Sequence, residues 1–418
     1  MIALCDATSF YASAEKSLDP SIRNRPVLVM SNNDGCCVAL CPVAKRLGFK
    51  KFLPFFQMKD DIKKHNAVVR SSNYELYADL SSKMFSLLHE YCDELYEYSI
   101  DEGFMRFDNS LTDEQWLQLG LDIRRALWRQ LRIPIGVGFG VNCTLAKAAN
   151  HASKKLPGFK GSAVVRTEQH KRDILSQMAT SDVWGVGSRI EKRLASMGIT
   201  NGYQLSQQDP SKMRKYFSIT LENTVRELQS EIRMSWDDVR PAKKEIYSTR
   251  SFGQRVSSIG ELKSALVSHA EIATEKLRNQ NGLAGGIILF AANSPHDNVP
   301  YLKKTFYTPF EVPTADTRNI IKAISAGIGT LFVPNVQYYK VGVGLVDLKD
   351  AAYFQHDLFS EPTDNPKLMG ALDAMNNRFG RNTISFAAKG FTQRFAMKRN
   401  YLSKRYTTRI TEIPRIKC

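Results

Sequence analysis

The sequence predicts a multidomain α+β protein, and three observations carry that reading. A chain of 418 residues exceeds what one hydrophobic core organises. Short apolar strands mix with amphipathic helices through the first part of the chain, an order that layers helices on a sheet. The character then changes to small helical units near Thr180, and a second strand-and-helix region follows a polar, Pro-containing linker at Asp238–Ile246.

The elements follow in order. "MIALCDATSF" is an apolar strand that ends in an acid and small polar residues, and "RPVLVMS" is a second strand closed by the turn-rich "NNDGCC". Leu76, Leu80, Met84, Leu87 and Leu88 recur at helical spacing. "DELYEYSI" and "GFMRFD" read as strands around a hairpin tip at "DEG". A helix ("DEQWLQLGLDIRRALWRQL"), the strand "IPIGVGFGV" and the helix "NCTLAKAANHASKK" come next. The glycines of that strand lack the dinucleotide-binding spacing and suit close packing of a helix. "DVWGVGSRIEKRLASMGI" reads as a helix, a tight glycine turn and a second helix. After the linker come the strands "IYSTRSFGQRV", "GGIILFAANS" and "YYKVGVGLVDL", with the helix "ELKSALVSHAEIATEKLRNQ" among them. Beyond Leu348 lie a polar segment, a short helix ("PKLMGALDAMNNRF") and a basic end.

The formal net charge is +16, which favours a polyanionic partner, nucleic acid before membrane surface. No apolar run is long enough to span a bilayer. The N-terminal stretch lacks the basic region of a signal peptide, and Asp6 interrupts its apolar run. Seven cysteines without a C-x-x-C pair indicate neither a disulfide frame nor a zinc ribbon. The expectation is a reduced, cytoplasmic protein.

Asp101 and Glu102 follow one strand, and Asp6 ends another. Neighbours on a regular strand point to opposite faces, but a hairpin tip lets both side chains converge. If the strand ends meet in one sheet, three carboxylates gather at one point. Such a cluster calls for a hard cation such as Mg²⁺, and two such ions clamp an in-line displacement at phosphorus. By spacing alone, an exposed acidic turn is the better account of the pair, since such turns are common.

"IALCDATSFYAS" and "YSIDEGF" together resemble the first and third motifs of the Y-family, translesion DNA polymerases. The likeness continues through "SNNDGC", "SSNYELYADLS", "TLAKAANHASKK", "DVWGVGSRIEKRL", "TRSFGQRV" and "KRYTTR". It implies an error-prone DNA-directed DNA polymerase of the SOS response. The implied fold is a right hand: palm at 1–30 and 71–165, fingers at 31–70, and a helix-hairpin-helix thumb at 166–240. A little-finger domain would occupy 244–348, and a C-terminal extension 349–418. The resemblance makes Asp6, Asp101 and Glu102 metal-binding catalytic carboxylates for two Mg²⁺ ions, with the Ala7 carbonyl as a further ligand. Phe10 and Tyr11 match the pair beside the incoming sugar, Tyr11 being the steric gate against a 2′-hydroxyl. Lys45 and Lys154 match phosphate-contacting positions, with Arg46 and Lys155 as neighbours able to take the role. Pro42 stands where many members carry a phosphate-bonding tyrosine.

Gly185 and Gly187 suit backbone contact to a DNA phosphate, and Arg250 and Arg255 flank a strand of the domain that would hold the template. "QHDLF" looks like a sliding-clamp peptide, with Leu358 and Phe359 as apolar anchors and Gln355 bonding beside them. The basic, aromatic-interleaved end suits nucleic acid or a nucleoprotein, and the resemblance implies a processed UmuD-type dimer and RecA as partners. A nucleotidyl cyclase would also cluster acids but would not need the hairpin, the basic tail or the clamp peptide.

Overall fold

The structure, a computed structural model, describes residues 1–418 apart from 109, 235–242, 356–362, 381, 391–396 and 414–418. The chain forms two compact units, Met1–Val239 with Arg399–Cys418, and Arg240–Lys398. The stretch 349–418 is therefore divided between them.

The first unit contains strands β1 (Ile2–Ala7), β2 (Val27–Met30), β3 (Cys37–Leu40), β4 (Val68–Ser71), β5 (Glu94–Glu97), β6 (Glu102–Arg106), β7 (Ile135–Gly140) and β8 (Ser162–Val165). Five of them form a sheet in the order β5-β6-β1-β7-β8. β1 runs antiparallel to both β6 and β7. Its Ala3, Leu4 and Cys5 are buried, as a central strand covered on both faces requires. The two sides of β7 do different work. Val137 and Phe139 share a core with Trp116, Ile123 and Leu127 of the helix Asp113–Leu131. Gly138 and Gly140 instead let the helix Cys143–Lys155 approach so closely that an added Cβ would run into its backbone. The expected role of those glycines holds. Asn150 fastens the same helix to the sheet by donating to the carbonyls of Leu4 (3.1 Å) and Gly136 (2.7 Å).

A second sheet has the order β3-β2-β4. Every residue of β2 is buried, so its run of aliphatic residues needs no polar alternation. Further along, the predicted helix before the glycine turn is a single 3-10 turn, Thr180–Asp182, and the helix Ser188–Ser196 follows. Three short helices complete this region around Leu194, Leu205, Met213 and Val225. Buried Glu227 ties it to the sheet-packing helix by accepting from the Thr144 amide (3.0 Å) and hydroxyl (2.6 Å).

The second unit is an antiparallel sheet of β9 (Ile246–Val256), β10 (Gly282–Ala292), β11 (Lys303–Thr314) and β12 (Tyr338–Asp350), in the order β11-β10-β12-β9. The helices Ile259–Asn279 and Thr317–Leu331 bury Leu266, Leu277, Ile320 and Ile324 with it in one core. The helix Pro366–Phe379 is anchored by the Arg278 guanidinium, which donates to both oxygens of Asp373 at 2.6 and 2.7 Å. Among the described residues, no helix is long and apolar enough to cross a membrane.

Candidate active site

β1 and β6 set the centre of the site. Their antiparallel register places Asp6 opposite Glu102, and directly paired residues hold their side chains on one face of a sheet. The turn leading into β6 occupies 98–101, so it precedes Glu102 and is not centred on Gly103. Its cause is Ser99, whose hydroxyl accepts from the Glu102 amide (3.1 Å) and donates to the Asp101 carboxylate (2.8 Å). The Glu102 carbonyl accepts from the amides of Tyr98 and Ser99. Gly103 is already within the strand, where an added Cβ would lie 2.8 Å from the Phe85 ring.

One helix supplies cations to both paired acids. Lys147 and Lys154 stand two turns apart on Cys143–Lys155 and so share a face. Lys154 pairs with Asp6, and Lys147 lies 2.9 Å from Glu102. The Lys147 ammonium also sits 4.6, 5.0 and 5.8 Å from the ring centres of Tyr98, Trp184 and Phe104, an aromatic cage around the ion pair. Burial pushes the Asp6 carboxyl up to about 6, while Lys154 pulls it down and the charges of Glu102 and Asp101 raise it. Among the described residues, no group of three His, Cys, Asp or Glu side chains is arranged to hold a metal ion. The acids share one end of the sheet without closing into one ligand set.

Phe10 and Tyr11 open the helix Phe10–Leu18 beside this point, after Ser9 turns the chain through a left-handed conformation at φ 52°. Phe10 is buried, and Tyr11 stacks on Tyr77 with ring centres 4.5 Å apart and planes 16° apart. Tyr74 meets both rings edge-on. Burial, then Tyr74 and the Asp101 charge, raise the Tyr11 hydroxyl pKa.

Lys45 reaches Ser9 Oγ at 2.9 Å. Burial lowers its pKa, and so do the charges of Lys51, Lys154 and Lys155, while Cys41 acts the other way. Of the adjacent pair, Lys154 turns to Asp6, whereas Lys155 lies 3.0 Å from Asp182. Pro42 is the first residue of the helix Pro42–Arg46, capped by Cys41, where a missing amide costs nothing. Arg46 is exposed.

The remaining expected positions fall elsewhere. Gly185 adopts φ +88°, and Gly187 caps the helix Ser188–Ser196 without a side-chain bond to its first amides. In the second unit, exposed Arg250 lies on the edge strand β9. Arg255, on the same strand, pairs with Asp297 at 2.7 Å and lies over the Tyr339 ring. Gln355 is exposed, and Leu358 and Phe359 lie outside the described residues. Sequence reasoning missed Lys147, Lys51 and Tyr77. Lys147 had one signal, its seven-residue spacing from Lys154.

Residues 5–151 match the impB/mucB/samB family, and 243–358 match the C-terminal domain of that family. Residues 366–416 match a domain of unknown function, DUF4113. The chain is 38% identical over 422 residues to protein UmuC of Salmonella typhimurium, covering 100% of both. The chain belongs to the impB/mucB/samB family. Its family likeness reaches DNA polymerase IV 2 of Bacillus subtilis, at 26% identity over 93% of this chain and 94% of that protein. A chimera of the Y-family DNA polymerases Dbh and Dpo4 shares the fold at a TM-score of 0.63 and 19% identity, covering 83% of this chain and 99% of the other. This member of the impB/mucB/samB family therefore has the right-hand polymerase fold, with a little-finger domain in its second unit.

Proposed function

We propose that the chain is an error-prone DNA-directed DNA polymerase that copies damaged template in the SOS response by two-metal nucleotidyl transfer. The observation that carries this reading is the register pairing of Asp6 with Glu102, with Lys154 on Asp6, near the helix that begins with Phe10 and Tyr11. Carboxylate oxygens are the donors a hard divalent ion takes, and binding here would have to draw the three acids together and displace their lysines. Asp6, Asp101 and Glu102, with the Ala7 carbonyl, would hold two Mg²⁺ ions. When bound, these ions supply charge neutralisation at the attacking and leaving oxygens.

The chain's own groups do the positioning. Lys45 and Lys154 attract the triphosphate as point charges. Tyr11, backed by Tyr77, lies flat beneath the sugar and leaves no room for a 2′-hydroxyl. The primer 3′-hydroxyl then attacks the α-phosphorus in line, and pyrophosphate leaves; positioning and electrostatics carry such transfers. Gly185 and Gly187 offer backbone amides to duplex phosphates, and Arg250 and Arg255 hold the template backbone through salt-sensitive contacts. Gln355, Leu358 and Phe359 engage a sliding clamp, and a processed UmuD-type dimer and RecA are the protein partners. The cytoplasm, at the nucleoid, is the compartment for this work. Primer extension with Mg²⁺, comparing the chain with Asp101→Asn in the presence and absence of those partners, tests the proposal. Incorporation lost in the variant is expected; no incorporation by the unaltered chain under any condition would overturn it.

A further inference from the structure

A C-terminal segment of the first unit returns to the helices that carry Tyr11 and Tyr77. The Asn400 amide donates to Asp34 Oδ2 (2.8 Å), and the Tyr401 amide donates to Ser71 Oγ (3.0 Å). The Ser71 amide returns a bond to the Tyr401 carbonyl (3.0 Å), which extends the edge of β4. Ser403 then bridges two helices. Its hydroxyl accepts from Asn73 Nδ2 (2.9 Å) and donates to Glu15 Oε1 (3.0 Å). Asn73 is the N-cap of the helix Tyr74–His89, which carries Tyr77. Glu15 lies one turn beyond Tyr11 on the helix Phe10–Leu18.

Glu15 is the junction. The same Oε1 also accepts from the Tyr77 hydroxyl at 2.7 Å, and Arg70 lies 3.5 Å from Oε2. Glu15 is 3% exposed and Tyr77 and Asn73 are 0% exposed, so no water replaces a lost partner cheaply. The bonds close a ring: Ser403 to Glu15, Glu15 to Tyr77, along the helix to Asn73, and back to Ser403. Tyr77, a member of that ring, is the residue on which Tyr11 stacks.

The geometry points to Ser403 as a positioning residue for sugar selection, the segment Asn400–Ser403 being a strap that fixes Tyr77 and, through it, the Tyr11 ring against the incoming sugar. This assigns a role to the end of the stretch matched to a domain of unknown function. It rests on the polymerase reading above. Among the described residues, no hydrogen bond or ion pair links Asn400–Ser403 to Asp6, Asp101, Glu102, Lys45 or Lys154, so the strap governs selectivity and leaves the rate of correct incorporation alone.

The test uses the full chain with Ser403→Ala, Ser403→Thr and Tyr77→Phe, and two readouts. In primer extension, Ser403→Ala and Tyr77→Phe each lower discrimination between deoxyribo- and ribonucleotides by about fivefold, the scale of one lost bond to a buried charge partly transmitted. Turnover of Ser403→Ala with deoxynucleotides stays within about twofold, and Ser403→Thr, which keeps the hydroxyl, restores discrimination. In the second readout, 3-fluorotyrosine at position 11 reports the ring directly: its fluorine resonance shifts or broadens in Ser403→Ala. This measurement needs no catalysis, so a chain inactive in every assay would sink the polymerase reading and leave the strap to be judged by the resonance. An unchanged resonance in a folded Ser403→Ala protein overturns the strap. Where that variant does not fold, Tyr77→Phe with an unchanged resonance overturns it equally.

Discussion

Asp6 and Glu102 face each other across adjacent antiparallel strands, and one helix serves both, with Lys154 on Asp6 and Lys147 on Glu102. The acids therefore have protein cations as counterions, and a divalent ion must compete with them or release them.

Asp6→Asn removes half of that pair. Incorporation falls on the order of a thousandfold, the scale of losing a principal electrostatic contact to the transition state. Direct titration with Mn²⁺, followed by the relaxation of water protons, shows weakened binding in the same variant. Retained binding and retained extension together would remove Asp6 from the metal set.

Lys147 is mostly buried, caged by three rings and paired to Glu102. Lys147→Met keeps the length and leaves Glu102 without its partner. The expected cost is about 2 kcal/mol of stability, read from urea unfolding, because breaking a part-buried pair strands the remaining charge. A midpoint unchanged from the parent would show that the cage holds no energy.

Gly138→Ala drives a methyl group into the backbone of the helix that carries both lysines. A backbone cannot step aside as a side chain does. The first unit loses about 3 kcal/mol or more, visible as a lower melting temperature. Gly187→Ala, where an added Cβ meets nothing within 4 Å, is the control and leaves the melting temperature in place.

His269 gives the second unit a pH dependence. Its ring is buried with Nδ1 2.9 Å from Ser248 Oγ. Burial, and then the charge of Arg250, push its pKa down from 6.5 to about 4. The folded value lies below the unfolded one, so the unfolded chain takes up the proton first. The contribution is fully present above about pH 6.5 and is lost as pH falls toward 4, with about 2 kcal/mol gone between pH 7 and pH 5. Urea unfolding at pH 7, 6 and 5 reads the slope, and His269→Gln flattens it. An equal slope in that variant assigns the dependence to other groups.

Tyr11→Ala opens the space beneath the sugar and raises ribonucleotide incorporation by about a hundredfold in primer extension, since discrimination by exclusion disappears with the ring. Unchanged discrimination removes the ring from that role.

Much of this was legible in the sequence because the informative residues are close in the chain. Asp6 with Tyr11, and Asp101 with Glu102, fall in short motifs that carry the family resemblance, although spacing alone favoured an exposed acidic turn. The Lys147 cage was not legible, because its rings come from a turn, a strand and the segment before a distant helix. The strand Lys303–Thr314 was missed for a different reason. Its Pro309 and Pro313 argue against a strand, yet β11 is at the sheet edge, where prolines are tolerated. The helix Thr317–Leu331 hid behind Gly327 and Gly329, the first of which lies where an added Cβ would strike Phe306. The Ser403 bridge spans 330 residues to Asn73 and 388 to Glu15, a separation no local pattern carries.

That separation also orders events during synthesis. The ribosome delivers Glu15, Asp34, Ser71 and Asn73 first, and their partners at Asn400–Ser403 330 to 388 residues later. Until then these polar groups in the first unit wait without the strap. A chain truncated before residue 400 is therefore expected to be cut faster by protease along the edge of β4 than the full chain, which limited proteolysis reads directly. The packing of Ser71 and Asn73 in the first unit thus waits on a segment made 330 residues later.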